Sequence, residues 1–204
     1  MQIISYSLGE LQTNCYLLIQ ENECLLIDPA DDASFILEEI QRRNLTLEGI
    51  LATHGHFDHV MSVGEIQSSI NVPFYIHKKD EFLIKRLGQT GKHFLGYEPV
   101  VIPPKNIKYF SGKTLHVKRF TLHVIETPGH TPGGCCFYFD LEQAVFTGDT
   151  VFKNAVGRTD LSYSNSQDLN TSIYRLIELL PEETIVYPGH GDRTTIMDEK
   201  VNLV

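Results

Sequence analysis

Thr53-His54-Gly55-His56-Phe57-Asp58-His59 places four potential metal ligands within six residues, spaced His-x-His-x-Asp-His. Before it, Glu48-Gly49-Ile50-Leu51-Ala52 reads as a short buried strand. After it, Val60-Met61-Ser62-Val63-Gly64-Glu65-Ile66 reads as the start of a helix that runs to about Ile70. The cluster therefore occupies a strand-to-helix turn, where side chains can converge on one point beyond a sheet edge. Neutral imidazole and carboxylate are ligands of borderline metals such as zinc or iron.

Outward from this turn, the N-terminal segment is strand-rich. Residues 2–8 read as an opening strand. Residues 14–19 and 23–28 read as an apolar hairpin around Gln20-Glu21-Asn22. Asp31 or Asp32 is placed to cap a helix whose apolar stripe is Phe35, Ile36, Leu37 and Ile40. Downstream, Val72–His77 reads as a strand and Lys78–Leu87 as a short helix. Residues 88–113 carry seven Gly and Pro residues and read as a long surface loop, a common place for lids and binding loops.

The second half repeats the pattern. Thr114–Val117 pairs with Phe120–Glu126, and Gly134–Asp140 with Gln143–Thr147. A helix over Gln167–Leu180 carries Ile173, Leu176, Ile177, Leu179 and Leu180 on its inner face and stops at Pro181. Thr184–Tyr187 is a last core strand. Two strand-rich halves, each with helices, predict an α+β fold: two packed mixed β-sheets with helices on both outer faces, an αββα sandwich, as one domain over residues 1–204.

Three further turns each put one potential ligand directly after a strand: His130 in Thr127-Pro128-Gly129-His130, Asp149 in Thr147-Gly148-Asp149-Thr150, and His190 in Tyr187-Pro188-Gly189-His190. With the first cluster they make five histidines and two aspartates. That inventory suits two adjacent divalent metal ions with open coordination positions. Zinc is the first expectation, and iron and manganese are compatible with the same residues.

Composition narrows the partners. The formal net charge of -9 is a poor match for phosphate backbones, so no nucleic-acid partner is expected. Lys78, Lys79, Lys85 and Arg86 could still form a local basic pocket. The N-terminus shows no secretory signal and no transmembrane run, so no membrane association is expected. Cys15, Cys24, Cys135 and Cys136 form no CxxC pair and read as reduced, buried thiols of a cytoplasmic protein. The oligomeric state is left open.

The set His54, His56, Asp58, His59, His130, Asp149 and His190, in this order over nearly the whole chain, resembles the metallo-β-lactamase fold superfamily. Asp149 stands where typical zinc β-lactamases of the largest class carry a cysteine, which argues against antibiotic hydrolysis. His56 stands where flavodiiron oxidoreductases carry a glutamate. The pattern looks like the short, single-domain glyoxalase II (hydroxyacylglutathione hydrolase) branch. Gly157-Arg158-Thr159-Asp160 is typical of that branch and of persulfide dioxygenases. Its continuation here, Leu161-Ser162-Tyr163-Ser164-Asn165, departs from the expected glycine-containing one.

The resemblance implies that one metal takes His54, His56 and His130, the other takes Asp58, His59 and His190, and Asp149 bridges them. It implies hydrolysis of a small-molecule acyl-thioester such as S-lactoylglutathione through a hydroxide bridging the metals, with Asp58 as the catalytic group that orients it. A thiol leaves readily, its pKa being about 8.5. Arg158, Tyr163 and His93 are candidate substrate contacts. Phe94, Tyr97 and Phe152 could line a pocket with Tyr163. The alternative on the same scaffold is an iron-dependent persulfide dioxygenase.

Overall fold

The computed structural model describes residues 1–110 and 112–203, the side chain of residue 203 excepted. Strands β1 (Gln2–Leu8), β2 (Thr13–Gln20) and β3 (Glu23–Ile27) form an antiparallel meander. Helix α1 (Ala33–Arg42) returns the chain to β4 (Thr46–Leu51), parallel to β3. Asp32 caps α1 by accepting from the Phe35 amide at 3.2 Å. Helices α2 (Phe57–Val60) and α3 (Val63–Ser69) lead to β5 (Phe74–Ile76). A 3-10 turn (Lys78–Asp80), α4 (Glu81–Ile84) and α5 (Leu87–Leu95) lead to β6 (Ile107–Tyr109), which completes a sheet in the order β1 to β6.

The second sheet is built from β7 (Thr114–Val117), β8 (Phe120–Glu126), β9 (Cys135–Phe139) and β10 (Ala144–Gly148). A small ribbon, β11 (Val151–Phe152) with β12 (Ala155–Val156), precedes α6 (Ser166–Leu179). Then come β13 (Ile185–Pro188), β14 (Thr194–Thr195) and α7 (Ile196–Leu203). The order is β14-β13-β10-β9-β8-β7, with β10 and β13 parallel.

Alternation along the strands builds three buried layers. Leu18, Leu25 and Leu51 from the first sheet meet Leu122, Phe137 and Phe146 from the second. Their neighbours Leu17, Leu26 and Ile50 turn outward beneath Ile36 and Ile40 of α1 and Val63 and Ile66 of α3. On the far side, Cys136 and Val145 pack under Leu169, Ile173 and Leu176 of α6. Cys135 and Cys136 thus face opposite layers, and all four cysteines are free and buried. The αββα sandwich is the observed architecture.

Four local readings are corrected. The expected loop over 88–113 contains α5 and β6. Gly96 is the left-handed C-cap of α5 (φ 78°), and Gly91 lies so close to Pro99 that a Cβ would meet its ring at 2.7 Å. These glycines end and pack a helix where a surface loop was expected. The helix expected through Ile70 is interrupted at Met61-Ser62. Leu179, placed on the inner face of α6, is 60% exposed because the buried stripe runs through Ile173, Leu176, Ile177 and Leu180. The basic side chains near α4 are not all free to build a pocket: Lys78 and Lys85 both pair with Glu81. Among the described residues no helix is long and apolar enough to cross a membrane.

The stretch between α5 and β6 is docked tightly on α3. An alanine Cβ at Gly64 would lie 1.9 Å from the Ile102 carbonyl oxygen. Gly64→Ala gains about 1 kcal/mol in helix propensity, but the clash has to move backbone and outweighs it. A net loss of about 1–3 kcal/mol is expected, measured by urea unfolding; unchanged stability would mean the stretch is not seated there.

Candidate metal centre

All four ligand-bearing turns leave the same end of the sandwich. β4 delivers residues 53–59, β8 the turn with His130, β10 the turn with Asp149, and β13 the turn with His190. Backbone hydrogen bonds join the two sheets here: Cys135 N to Thr53 O at 2.8 Å and Asn14 N to Gly189 O at 2.7 Å. The Asn14 amide adds bonds to Pro188 O and Gly191 O at 3.0 and 2.9 Å. The turns are therefore locked to each other as well as to their own strands.

Seven of the predicted site residues converge in two groups, His54, His56, His130 and Asp149 in one and Asp58, His59 and His190 in the other. His56 Nδ1 lies 3.0 Å from both His54 Nε2 and His130 Nε2. In the second group Asp58 Oδ2 lies 3.6 Å from His59 Nε2 and 3.4 Å from His190 Nε2. Asp149 faces both groups: Oδ2 is 3.4 Å from His130 Nε2, and Oδ1 is 3.3 Å from His59 Nε2 and 3.7 Å from His190 Nε2.

The outward nitrogen of each of the five imidazoles meets an oxygen, and four of those oxygens can only accept, which assigns the tautomers of His54, His59, His130 and His190. His59 Nδ1–H donates to Asp28 Oδ2 at 3.0 Å, His130 Nδ1–H to Arg158 O at 2.8 Å, and His190 Nδ1–H to Leu11 O at 3.1 Å. Thr53 donates its hydroxyl to Asp28 at 2.6 Å, so at 3.1 Å it accepts from His54 Nδ1. His56 Nε2 lies 2.8 Å from the Tyr163 hydroxyl. With these four rings neutral, as metal binding requires, four lone pairs are thereby left facing inward.

The electrostatics follow from packing these groups together. Burial, with neighbouring imidazoles, holds His54 well below the usual histidine range and lowers His56 to about 3. Burial also disfavours the charge on His59, but the Asp149 and Asp58 carboxylates outweigh it and raise His59 well above its ordinary value. For Asp58 and Asp149, burial pushes upward and the nearby imidazolium of His59 pulls further down, so both carboxyls fall. This is a site built for positive charge.

An orphaned pair tests whether cations fit. His59 Nε2 and Asp149 Oδ1 are buried and, although 3.3 Å apart, make no hydrogen bond. Such groups are costly to bury unless something polar meets them. A Cβ at Gly189 would lie 2.3 Å from Asp149 Oδ1 and 2.7 Å from His59 Cε1, so only glycine admits this approach. Inward lone pairs, two carboxylates and an orphaned pair together fit divalent cations.

Two supporting carboxylates escaped the sequence reading. Asp28, 1% exposed and in the left-handed region (φ 50°), accepts from Thr53 N at 2.7 Å as well as from Thr53 Oγ1 and His59. Asp80 is fully buried and accepts from Gly55 N at 3.0 Å, Thr131 Oγ1 at 2.7 Å and Gly133 N at 2.7 Å. It ties the His56 turn to the His130 turn. Burial raises the Asp80 pKa against those hydrogen bonds. In sequence each is an ordinary turn aspartate, and no local pattern marks it.

A cavity of about 260 Å³ opens over the groups, walled by Leu11, Phe57, Phe94 and Leu161 with Arg158 at its side. Phe94 stacks on Phe57 at 5.8 Å, and the exposed Arg158 is forked to Asp160 at 2.6 and 2.7 Å. Tyr163 and His93 are not among the lining residues: the Tyr163 hydroxyl is taken by His56, and His93 is exposed on α5. Phe152 reaches the His190 ring at 6.1 Å, and Tyr97 bonds Glu10 on the surface.

The sequence model of the metallo-β-lactamase superfamily matches residues 8–190, and the chain belongs to that superfamily. A probable metallo-hydrolase of Bacillus subtilis, YqgX, is 34% identical over 94% of this chain and 91% of its own length. The hydroxyacylglutathione hydrolase GloC of Haemophilus influenzae is 32% identical over 93% and 90%. Among solved structures, the B3 metallo-β-lactamase BLEG-1 superposes with a TM-score of 0.92 at 34% identity, covering 99% of this chain and 98% of its own. TTHA1623 in a di-iron-bound form gives 0.90 at 34%, covering 98% of each. ETHE1 from Myxococcus xanthus gives 0.80 at 27%, covering 99% and 83%.

Replacing Asp80 isolates the clamp between two turns. Asp80→Asn points an amide donor at groups that are themselves donors. A loss of about 1–3 kcal/mol is expected in urea unfolding of the metal-free protein, whereas an unaffected midpoint would show that the clamp contributes little.

Proposed function

We propose that this chain is a metal-dependent thioester hydrolase that acts on S-lactoylglutathione or a similar acyl-thioester. The carrying observation is a pair of ligand clusters that share one carboxylate, Asp149, beneath a small open cavity. Likeness to a hydroxyacylglutathione hydrolase at 32% identity supports the substrate class. His54, His56 and His130 would hold one cation, Asp58, His59 and His190 the other, and Asp149 both.

Two divalent cations held there, zinc first among the compatible ions, would supply Lewis acidity and a water acidified towards neutrality. The rest falls to the protein. Asp58, kept ionised and steadied by a 3.0 Å hydrogen bond from Thr13 Oγ1, orients the attacking water. Phe57, Phe94, Leu11 and Leu161 shield the acyl group from solvent. Arg158 stands at the cavity side to meet a negatively charged part of the thiol half. Attack of the water oxygen forms a C–O bond at the carbonyl carbon, and the water proton passes to solvent. Collapse of the tetrahedral adduct breaks the C–S bond, and the thiol, with a pKa of about 8.5, departs as thiolate without a strong acid.

Elemental analysis tests the reading first. About two metals per chain are expected, with thioester turnover. About one iron per chain, with oxygen uptake on a persulfide, would favour the dioxygenase alternative on this scaffold. A β-lactam belongs in the same panel, because BLEG-1 carries that name. His190→Ala is expected to empty one position and Asp149→Ala to weaken both; equal losses would contradict the shared carboxylate.

Protonated imidazole cannot bind a metal, so falling pH releases the cations. Thioester turnover and retained metal should therefore decline together between about pH 8 and about pH 5. A flat rate over that range would contradict the mechanism.

A further inference from the structure

We infer that Tyr163 is a positioning residue for His56: its hydroxyl oxygen accepts the Nε2 proton and thereby presents the Nδ1 lone pair to the first ligand group. The inference rests on the proposed metal site and deepens it, because it concerns what selects the liganding nitrogen of one histidine.

The geometry leaves His56 little choice. Its Nδ1 is 3.0 Å from His54 Nε2 and 3.0 Å from His130 Nε2. Those two nitrogens already point lone pairs inward, since the opposite nitrogens donate to Thr53 and Arg158. A neutral imidazole carries one donor and one acceptor. Three lone pairs can meet at this distance only around a cation, so in the metal-loaded site Nδ1 is the ligand atom and the His56 proton belongs on Nε2, where the Tyr163 oxygen at 2.8 Å is the protein partner. Outer partners of this kind fix ring orientation and ligand basicity.

The phenol ring and its oxygen can be separated experimentally. The ring packs edge-on to Phe82 at 5.3 Å. The segment around it is fastened independently, by Ser164 Oγ to His130 O at 2.7 Å and Asn165 N to Gly129 O at 2.8 Å. Tyr163→Phe keeps the ring and these bonds and deletes only the oxygen. It differs in kind from the other four anchors: two are main-chain carbonyls, and Thr53 and Asp28 serve more than one group.

The test is a zinc titration of metal-free wild type and Tyr163→Phe, read by competition with a chromophoric chelator. In Tyr163→Phe one binding event is expected to weaken about 10- to 100-fold, the other to keep its wild-type affinity, and the metal-free melting point to stay unchanged. Tyr163→Gly, which also lacks the oxygen, is expected to weaken the same event. In proton NMR of the zinc-loaded protein, one hydrogen-bonded imidazole N–H signal of the wild type is expected to be lost in Tyr163→Phe. Two unchanged affinities in Tyr163→Phe would overturn the inference, as would equal weakening of both events with a lowered metal-free melting point. A wild-type chain that takes up no zinc would overturn the metal reading beneath it.

Discussion

The carboxylate of Asp28 is the contact on which the site depends. It is buried at the end of β3, in a backbone conformation that costs a non-glycine residue about 1–3 kcal/mol. In return it holds both polar groups of Thr53 and the far nitrogen of His59. One side chain thus ties β3 to Thr53, just beyond β4, and orients His59, the fully buried histidine of the second ligand group. Thr53 passes the constraint on by accepting from His54. Two of the four inward lone pairs trace back to this one carboxylate.

Around it, the same problem is solved five times with different chemistry. A carboxylate, a hydroxyl and two main-chain carbonyls each take the outward proton of one imidazole, and a phenol meets the outward nitrogen of the fifth. The carbonyl anchors couple separate turns: Arg158 reaches His130, and Leu11 reaches His190. Asp80 fastens the turns from beneath, and Gly189 gives His59 and Asp149 room to approach. The inner residues alone would repel or swivel, and the outer shell makes their crowding tolerable.

The sandwich and the inner residues were legible in sequence for a physical reason. Ligands at a sheet end need a strand, a tight turn and a small neighbour, and that combination leaves Gly directly before each of His130, Asp149 and His190, with Pro before the Gly at His130 and His190. The anchoring residues leave no such trace. Asp28 and Asp80 look like turn or cap aspartates, because their partners lie 25 or more residues away. Gly91 and Gly96 read as breaks because sequence does not distinguish a glycine that ends a helix from one that lies in a loop. Tyr163 looked like a pocket aromatic until its hydroxyl was found on His56.

The bonds from Asn14 to Pro188 and Gly191 span 174 and 177 positions of the chain. The site is therefore closed by residues made far apart in synthesis. A nascent chain on the ribosome carries the His54 turn long before His190 is translated. Contacts of such length also slow folding, since distant segments must meet before they are rewarded. The ligand set is therefore assembled only after His190 has been added, and a nascent chain that stops short of it holds the first cluster without its distant partner.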